Sequence, residues 1–324
     1  TIVDNFSGGF EIDDGECALT NCIIANNGDA GIDHNSGKLD HTYNLIFGNV
    51  VNYEGTSAGA GEISVDPLFA ATDDYHLSYG SPAIDAAASA SGYADYDLEG
   101  RSRPSNAGYD IGCYEAPTFY FVRTDGDDSN SGTGPDADEA WATIDHAAES
   151  VAAGATIYVK AGTYAAAVTP SVDGKLASPI RFIGDRQGKI SDWNAGNVTI
   201  QGPSGSRCIF LNRNDYLEFT GFHLQVDDTQ AVYAYFSQGA RFEQCDFVNT
   251  TTHAIYLYSS GVTLVNCLIH DSGGMGLYCF GDSDVEVWNC TIANNTNDGM
   301  RAVNTSTNFS VWFNGCYVLY ELTG

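Results

Sequence analysis

Basic residues are what this 324-residue chain has least of: 13 lysines and arginines stand against 42 aspartates and glutamates, a formal net charge of −29. No lysine occurs after Lys189, and the C-terminal stretch holds only Arg207, Arg213, Arg241 and Arg301. A surface of this sign repels nucleic acid and anionic lipid, which excludes both as partners. No apolar run reaches the roughly 18 residues that a membrane-spanning helix needs, so membrane insertion is not expected either. The nine cysteines lack the paired spacing of zinc sites. The seven histidines have neither metal-site spacing nor an evident serine or aspartate partner.

What is present is a repeat. Short apolar/polar alternating segments return along the C-terminal half: YLEFTGFHL from Tyr216, ARFEQCDFV from Ala240, GVTLVNCLI from Gly261, DVEVWNCTI from Asp284 and SVWFNGCYV from Ser310. A second strand follows most of them, as in AIYLYSSG at Ala254 and GLYCFGDS at Gly276. Alternation marks half-buried strands, and Gly, Asn, Asp and Ser mark the turns. Cys245, Cys267, Cys290 and Cys316 are 22, 23 and 26 residues apart, with Cys22 in a similar context. These five are expected to stack as a core ladder of thiols, with Asn266 and Asn289 beside them at the bends. No LxxLxL pattern supports a leucine-rich repeat, and a propeller needs a longer period. The expectation is an all-β chain, a parallel β-helix with rungs about 4.8 Å apart.

Two further segments carry a resemblance. Phe119–Tyr164 holds a strand, an Asp/Gly/Ser/Asn loop, a helix and then Ala161-Gly162-Thr163-Tyr164. Its helix is expected at about 139–152, capped by Asp138, with Trp141, Ile144, Ala148 and Val151 on one apolar face. Asp66–Glu115 holds Asp-Pro-Leu-Phe, Gly-Ser-Pro-Ala-Ile-Asp and Asp-Ile-Gly-Cys-Tyr-Glu. Together with the repeat these resemble the right-handed parallel β-helix repeat proteins of the pectate-lyase-like superfamily. The resemblance implies that the first segment opens such a domain and the second closes one. Because the closing segment comes first, residues 1–117 are expected to be the end of one β-helix and 118–324 the start of the next.

That order points to tandem or head-to-tail continuation, with copies of the chain itself as partners. The expected function is therefore a non-catalytic extracellular or cell-surface protein, structural or adhesive, building a stalk, fibre or filament. The chain is expected not to be an enzyme: it lacks the Gly-His-Gly and Arg-Ile-Lys strings and the basic, acid-flanked site that the resemblance implies for hydrolases and lyases. The alternative is a carbohydrate-active module, lyase-like or glycan-binding. Three further features bear on ligands. Asp125, Asp127, Asp128 and Asn130 place oxygens as a structural calcium loop does. Sequons at Asn5, Asn197, Asn249, Asn294, Asn304 and Asn308 are glycosylation candidates, whereas Asn289, in a seventh, is expected to face the ladder. Tyr233, Tyr235, Tyr256, Tyr258 and Tyr278 are read as an outer aromatic stripe that stacks across rungs.

Overall fold

The computed structural model describes residues 1–89, 95–105, 107–248, 250–303 and 310–318, with backbone alone at 310–313 and 317–318. The chain divides into two compact units, Thr1–Thr118 and Phe119–Gly324.

The larger unit is a parallel β-helix of three sheets. An eight-stranded first sheet contains Ile180–Asp185, Leu217–Thr220, Ala240–Glu243, Gly261–Val265 and Asp284–Trp288. A seven-stranded second sheet contains Phe222–Gln225, Asp246–Val248, Leu268–His270 and Thr291–Ala293. The five-stranded third sheet is Ile209–Asn212, Val232–Tyr235, Ile255–Tyr258, Leu277–Phe280 and Met300–Val303. All pairings in these sheets are parallel and in register, so each side chain lies over its counterpart one rung away. In the first sheet Phe182, Phe219 and Phe242 point inward and stack, with centroids 4.8 and 5.3 Å apart and rings nearly parallel. All three rings are buried.

The bend between the first and second sheets explains the Asn-Cys pairs. Asn266 and Asn289 adopt left-handed backbone angles (φ 53° and 52°), as do Gln244 and Gly221 at the same corner. Asparagine tolerates that region better than other side chains with a Cβ. The asparagine therefore turns the chain, and the following cysteine drops into the core. Cys245, Cys267 and Cys290 are buried, and their thiols donate to carbonyls of the first sheet. A second polar column closes another corner, where the backbone N–H groups of Asn214, Ser237 and Ser260 donate to the hydroxyls of Ser237, Ser260 and Ser283 in turn.

The helix over this coil is Ile144–Ser150, shorter than expected, and it is capped by Thr143 and not Asp138. Asp128 causes the late start, because its carboxylate takes the N–H groups of Ala142 and Thr143 and the Thr143 hydroxyl. The expected apolar face is present, with Trp141, Ile144, Ala148 and Val151 all buried.

The smaller unit repeats the plan with 22-residue rungs: Ile2 lies over Ile24, and Ile24 over Ile46. Asn5, Asn27 and Asn49 form an amide ladder along it, each side-chain N–H donating to the next amide oxygen at 2.8 Å. Its side is closed by Glu62, which accepts from Asn44, Tyr53, the Gly59 N–H and His41 with no exposed side-chain surface of its own. Replacing Asn266, which is exposed, by valine is expected to destabilise the protein by about 1–2 kcal/mol through the left-handed turn, whereas glycine there is tolerated. Urea melts of both variants measure it, and equal stability of the two contradicts the account.

Candidate functional site: an aromatic face and a histidine–aspartate row

The third sheet turns its first and third positions inward and its second and fourth outward. In-register pairing therefore builds two outer columns: Phe210, Tyr233, Tyr256, Tyr278 and Arg301, and beside it Asn212, Tyr235, Tyr258, Phe280 and Val303. Their rings are half-buried and touch from rung to rung. Centroids are 5.5 Å apart for Phe210–Tyr233, 5.0 Å for Tyr233–Tyr256 and 5.1 Å for Tyr256–Tyr278. In the second column they are 5.1 Å for Tyr235–Tyr258 and 5.3 Å for Tyr258–Phe280. Arg207 lies over Phe210 and Tyr233 at 5.0 and 4.5 Å, and Arg213 over Tyr235 and Phe236 at 5.7 Å. Burial pushes the Tyr233 and Tyr256 phenols up, so the face presents neutral O–H groups at pH 7.

His253 edges the same face, stacked on Tyr278 at 4.8 Å. Its Nδ1 accepts the Met275 N–H, so the neutral ring carries its proton on Nε2. Burial lowers its pKa, which keeps it uncharged. The margin of the stripe thus holds a neutral hydrogen-bond donor.

On the second sheet, titratable groups join across rungs. His223 Nδ1 meets Asp246 Oδ2 at 2.9 Å, Asp246 Oδ1 meets His270 Nε2 at 3.0 Å, and His270 Nδ1 meets Asp271 Oδ2 at 2.7 Å. Asn294 Nδ2 donates to the far oxygen of Asp271. At His223 a carboxylate on Nδ1 orients the imidazole and leaves Nε2 for proton transfer, the geometry of a general base, whereas at His270 both ring nitrogens are engaged by aspartates. Sequence reasoning missed this row, although the intervals of 23 and 24 residues from His223 to Asp246 to His270 match the rung period. His253 and His270 hold different positions, one beside the third sheet and the other at the end of a second-sheet strand.

The calcium-loop residues do not converge. Asp125 pairs with Arg123, Asp127 accepts from Ser129, Asp128 accepts from Ala142 and Thr143 ahead of the helix, and Asn130 donates to the Ala137 and Ala140 carbonyls. Among the described residues no group of three or more His, Cys, Asp or Glu side chains is placed to hold a metal. Of the sequons, Asn197 is exposed, Asn5 is engaged in the amide ladder and Asn294 is bonded to Asp271. Asn249, Asn304 and Asn308 lie outside the described residues. Asn289 is exposed at its bend. All nine cysteines are free, Cys22 and Cys316 being half-buried, and burial pushes the Cys208 and Cys279 thiols up to about 12, where they are inert. Asp228, in a turn, accepts from the Ser204 hydroxyl and the Gly205 N–H.

The architecture agrees with comparisons to known proteins. Residues 207–319 match the family model described as "Right handed beta helix region", and the fold is a right-handed parallel β-helix. No curated protein matches the sequence. Among solved structures, a rhamnogalacturonan lyase shares the fold with a TM-score of 0.50 at 17% identity, over 61% of this chain and 56% of that one. A pectate lyase, Pel9A, matches with a TM-score of 0.40 at 17% identity, over 60% and 57%. A GH136 lacto-N-biosidase from Eubacterium ramulus matches with a TM-score of 0.38 at 10% identity, over 61% and 54%. The match thus spans just over half the length of each of these proteins.

These comparisons correct the expectation that the chain is not an enzyme. The rhamnogalacturonan lyase is by name an enzyme, so the β-helix that it shares with this chain is a fold on which catalysis is found. Missing lysines and motif strings excluded only particular catalytic sets, and they said nothing of an imidazole–carboxylate row. Among the described residues no helix is long and apolar enough to cross a membrane.

The row makes a pH prediction. Burial pushes Asp246 up, but hydrogen bonds and charge from His223 and His270 outweigh it and hold its pKa below the ordinary aspartate value. A depressed carboxyl adds stability above its unfolded pKa of about 3.9, and the stability is lost as the pH falls through the folded value. Asp246→Asn is thus expected to flatten the acid limb of stability against pH in urea melts. An acid limb as steep as wild type would show that the row contributes nothing.

Proposed function

We propose that the chain is a carbohydrate-active β-helix module that takes an extended glycan along the outer face of the third sheet. The observation that carries this is the aromatic stripe: rings on four successive rungs in two columns, half-buried on one side and open on the other. Sugar rings present apolar C–H faces that stack on such rings, while their hydroxyls meet phenol O–H groups and the His253 Nε2–H. Stacking between the rings, the sequence-based reading, accounts for the columns' mutual contacts but not for seven aromatic residues kept on an outward face. The glycan-directed names of the proteins that share the fold point the same way. The reading places the protein outside the cell, where polymeric glycans are found.

The test is binding of linear oligosaccharides by calorimetry, together with chromatography of the products for cleavage. Tyr256→Ala and Tyr278→Ala each remove apolar contact of about 1.5 kcal/mol, and each is expected to weaken binding about tenfold with the fold unchanged by circular dichroism. Equal affinity in wild type and both variants would exclude the third sheet as the glycan face.

A further inference from the structure

Independently of the glycan reading, the smaller unit holds a second constellation where its coil breaks pattern. The sheet of Glu16–Thr20 and Lys38–Thr42 has two strands. One rung further on, where a third strand would pair with Lys38–Thr42, residues 55–61 run instead as a Gly-Thr-Ser-Ala-Gly-Ala-Gly loop. The loop is tied down: the Tyr43 N–H donates to the Ala60 carbonyl, and the Gly59 N–H donates to Glu62. That approach needs glycine, because a Cβ at Gly59 would collide with the His41 carbonyl oxygen.

The loop lays a hydroxyl against a buried imidazole–carboxylate pair. Both Glu62 oxygens are filled. Oε1 accepts from Asn44 Nδ2 at 2.7 Å and faces His41 Nδ1 at 2.9 Å. Oε2 accepts from the Tyr53 hydroxyl at 2.9 Å and the Gly59 N–H at 2.8 Å. Burial pushes this carboxyl up, but the hydrogen bonds from Asn44, Gly59, His41 and Tyr53 outweigh it and hold its pKa below the ordinary glutamate value. Glu62 is thus ionised and can only accept, so His41 carries a proton on Nδ1. On the far side of the ring His41 Nε2 lies 3.1 Å from the Thr56 hydroxyl. In the neutral imidazole Nε2 is an acceptor, and the hydroxyl donates to it.

Hydroxyl, imidazole and carboxylate in that order make an activated nucleophile: a base in reach of the O–H, and a third group that fixes the base's tautomer. The His41 and Glu62 side chains are 7% and 0% exposed, whereas Thr56 is half-buried and reachable from solvent. Its neighbours on the loop are glycine, alanine and serine, so a carbonyl can approach Oγ1 without displacing a large side chain. Among the described residues the N–H groups of Ser57 and Ala58, next in the chain, have no acceptor, which leaves two donors for an oxyanion. Closing the coil needs Glu62 and its donors. It does not need the far nitrogen of the imidazole turned toward an accessible hydroxyl.

We propose that Thr56, His41 and Glu62 form an acyl-transfer site that hydrolyses short-chain carboxylic esters. Thr56 Oγ1 attacks the ester carbonyl carbon as its proton passes to His41 Nε2, and the carbonyl electron pair moves onto oxygen. That pair returns, the bond to the alcohol oxygen breaks, and the alcohol leaves with the proton from Nε2. Water then attacks the acyl-threonine and gives a proton to Nε2. On collapse Thr56 Oγ1 takes that proton back and the carboxylic acid departs. Thr56 is the nucleophile, His41 the base and then the acid, and Glu62 a positioning residue. The small loop residues offer little surface to hold a long acyl group, so the site takes acetyl-sized ones.

The experiment is hydrolysis of p-nitrophenyl acetate by the full chain, with peptide mass spectrometry of acid-quenched protein to locate the acetyl group. Wild type is expected to be acetylated on Thr56. Thr56→Val, isosteric at a half-buried position, is expected to lose the adduct and to lower kcat about a hundredfold, and Thr56→Ser to keep both. Glu62→Gln keeps the shape but can turn an amide N–H toward Nδ1 and favour the wrong tautomer, so kcat falls with KM little changed. Circular dichroism shows which variants are folded, and the two Thr56 variants decide the matter alone if Glu62→Gln is not. Equal rates in wild type and Thr56→Val overturn the proposal, as do acetyl groups found only on other residues or no hydrolysis by wild type. None of these three results touches the glycan reading.

Discussion

The structure depends on one constraint, the in-register parallel hydrogen-bond ladder between rungs. Because each strand pairs with its sequence counterpart about one period away, every position becomes a column repeated at the rung spacing. A residue that suits the core is used again, as in Phe182–Phe219–Phe242 and in the cysteines. A residue that suits a left-handed bend recurs too, as Asn266 and Asn289 do. The same rule governs the outside. Tyrosine on one rung sits against tyrosine on the next, and His223, Asp246 and His270 meet only because rung spacing brings residues 23 and 24 apart into contact.

This constraint also decides what was legible beforehand. Period, strand alternation and the Asn-Cys pairs are local patterns, so the β-helix could be read from residues alone; of the five cysteines expected to stack, Cys245, Cys267 and Cys290 are buried on successive rungs and Cys22 lies in the smaller unit. The role of the asparagine was less visible. Its place beside the cysteine at the bend was expected, but not that its left-handed backbone is what turns the corner. The helix begins late because Asp128 takes the N–H groups of Ala142 and Thr143 just ahead of it, a contact that local sequence does not announce. The histidine–aspartate row stayed hidden because its members are 23 and 24 residues apart and meet only once the rungs are stacked. The tyrosine stripe was seen, but Arg207 and Arg213 sit outside the strands, and only the folded chain lays them on the rings.

Charge gives the outer faces different characters. On the first sheet Arg181 and Arg241 are neutralised by glutamates, and on the second the imidazoles are matched by aspartates. On the third, arginine meets aromatic faces in place of carboxylates. Aromatic surface kept partly open on one face is what the proposed carbohydrate recognition rests on, by contrast with the paired charges of the other two faces of the coil.

The most direct measurement is a crystal structure of the chain soaked with a linear oligosaccharide that it binds. The account predicts sugar rings seated on Tyr256 and Tyr278, with the chain running along the coil axis. Sugar bound on the first or second sheet, with the tyrosines uncovered, would contradict it.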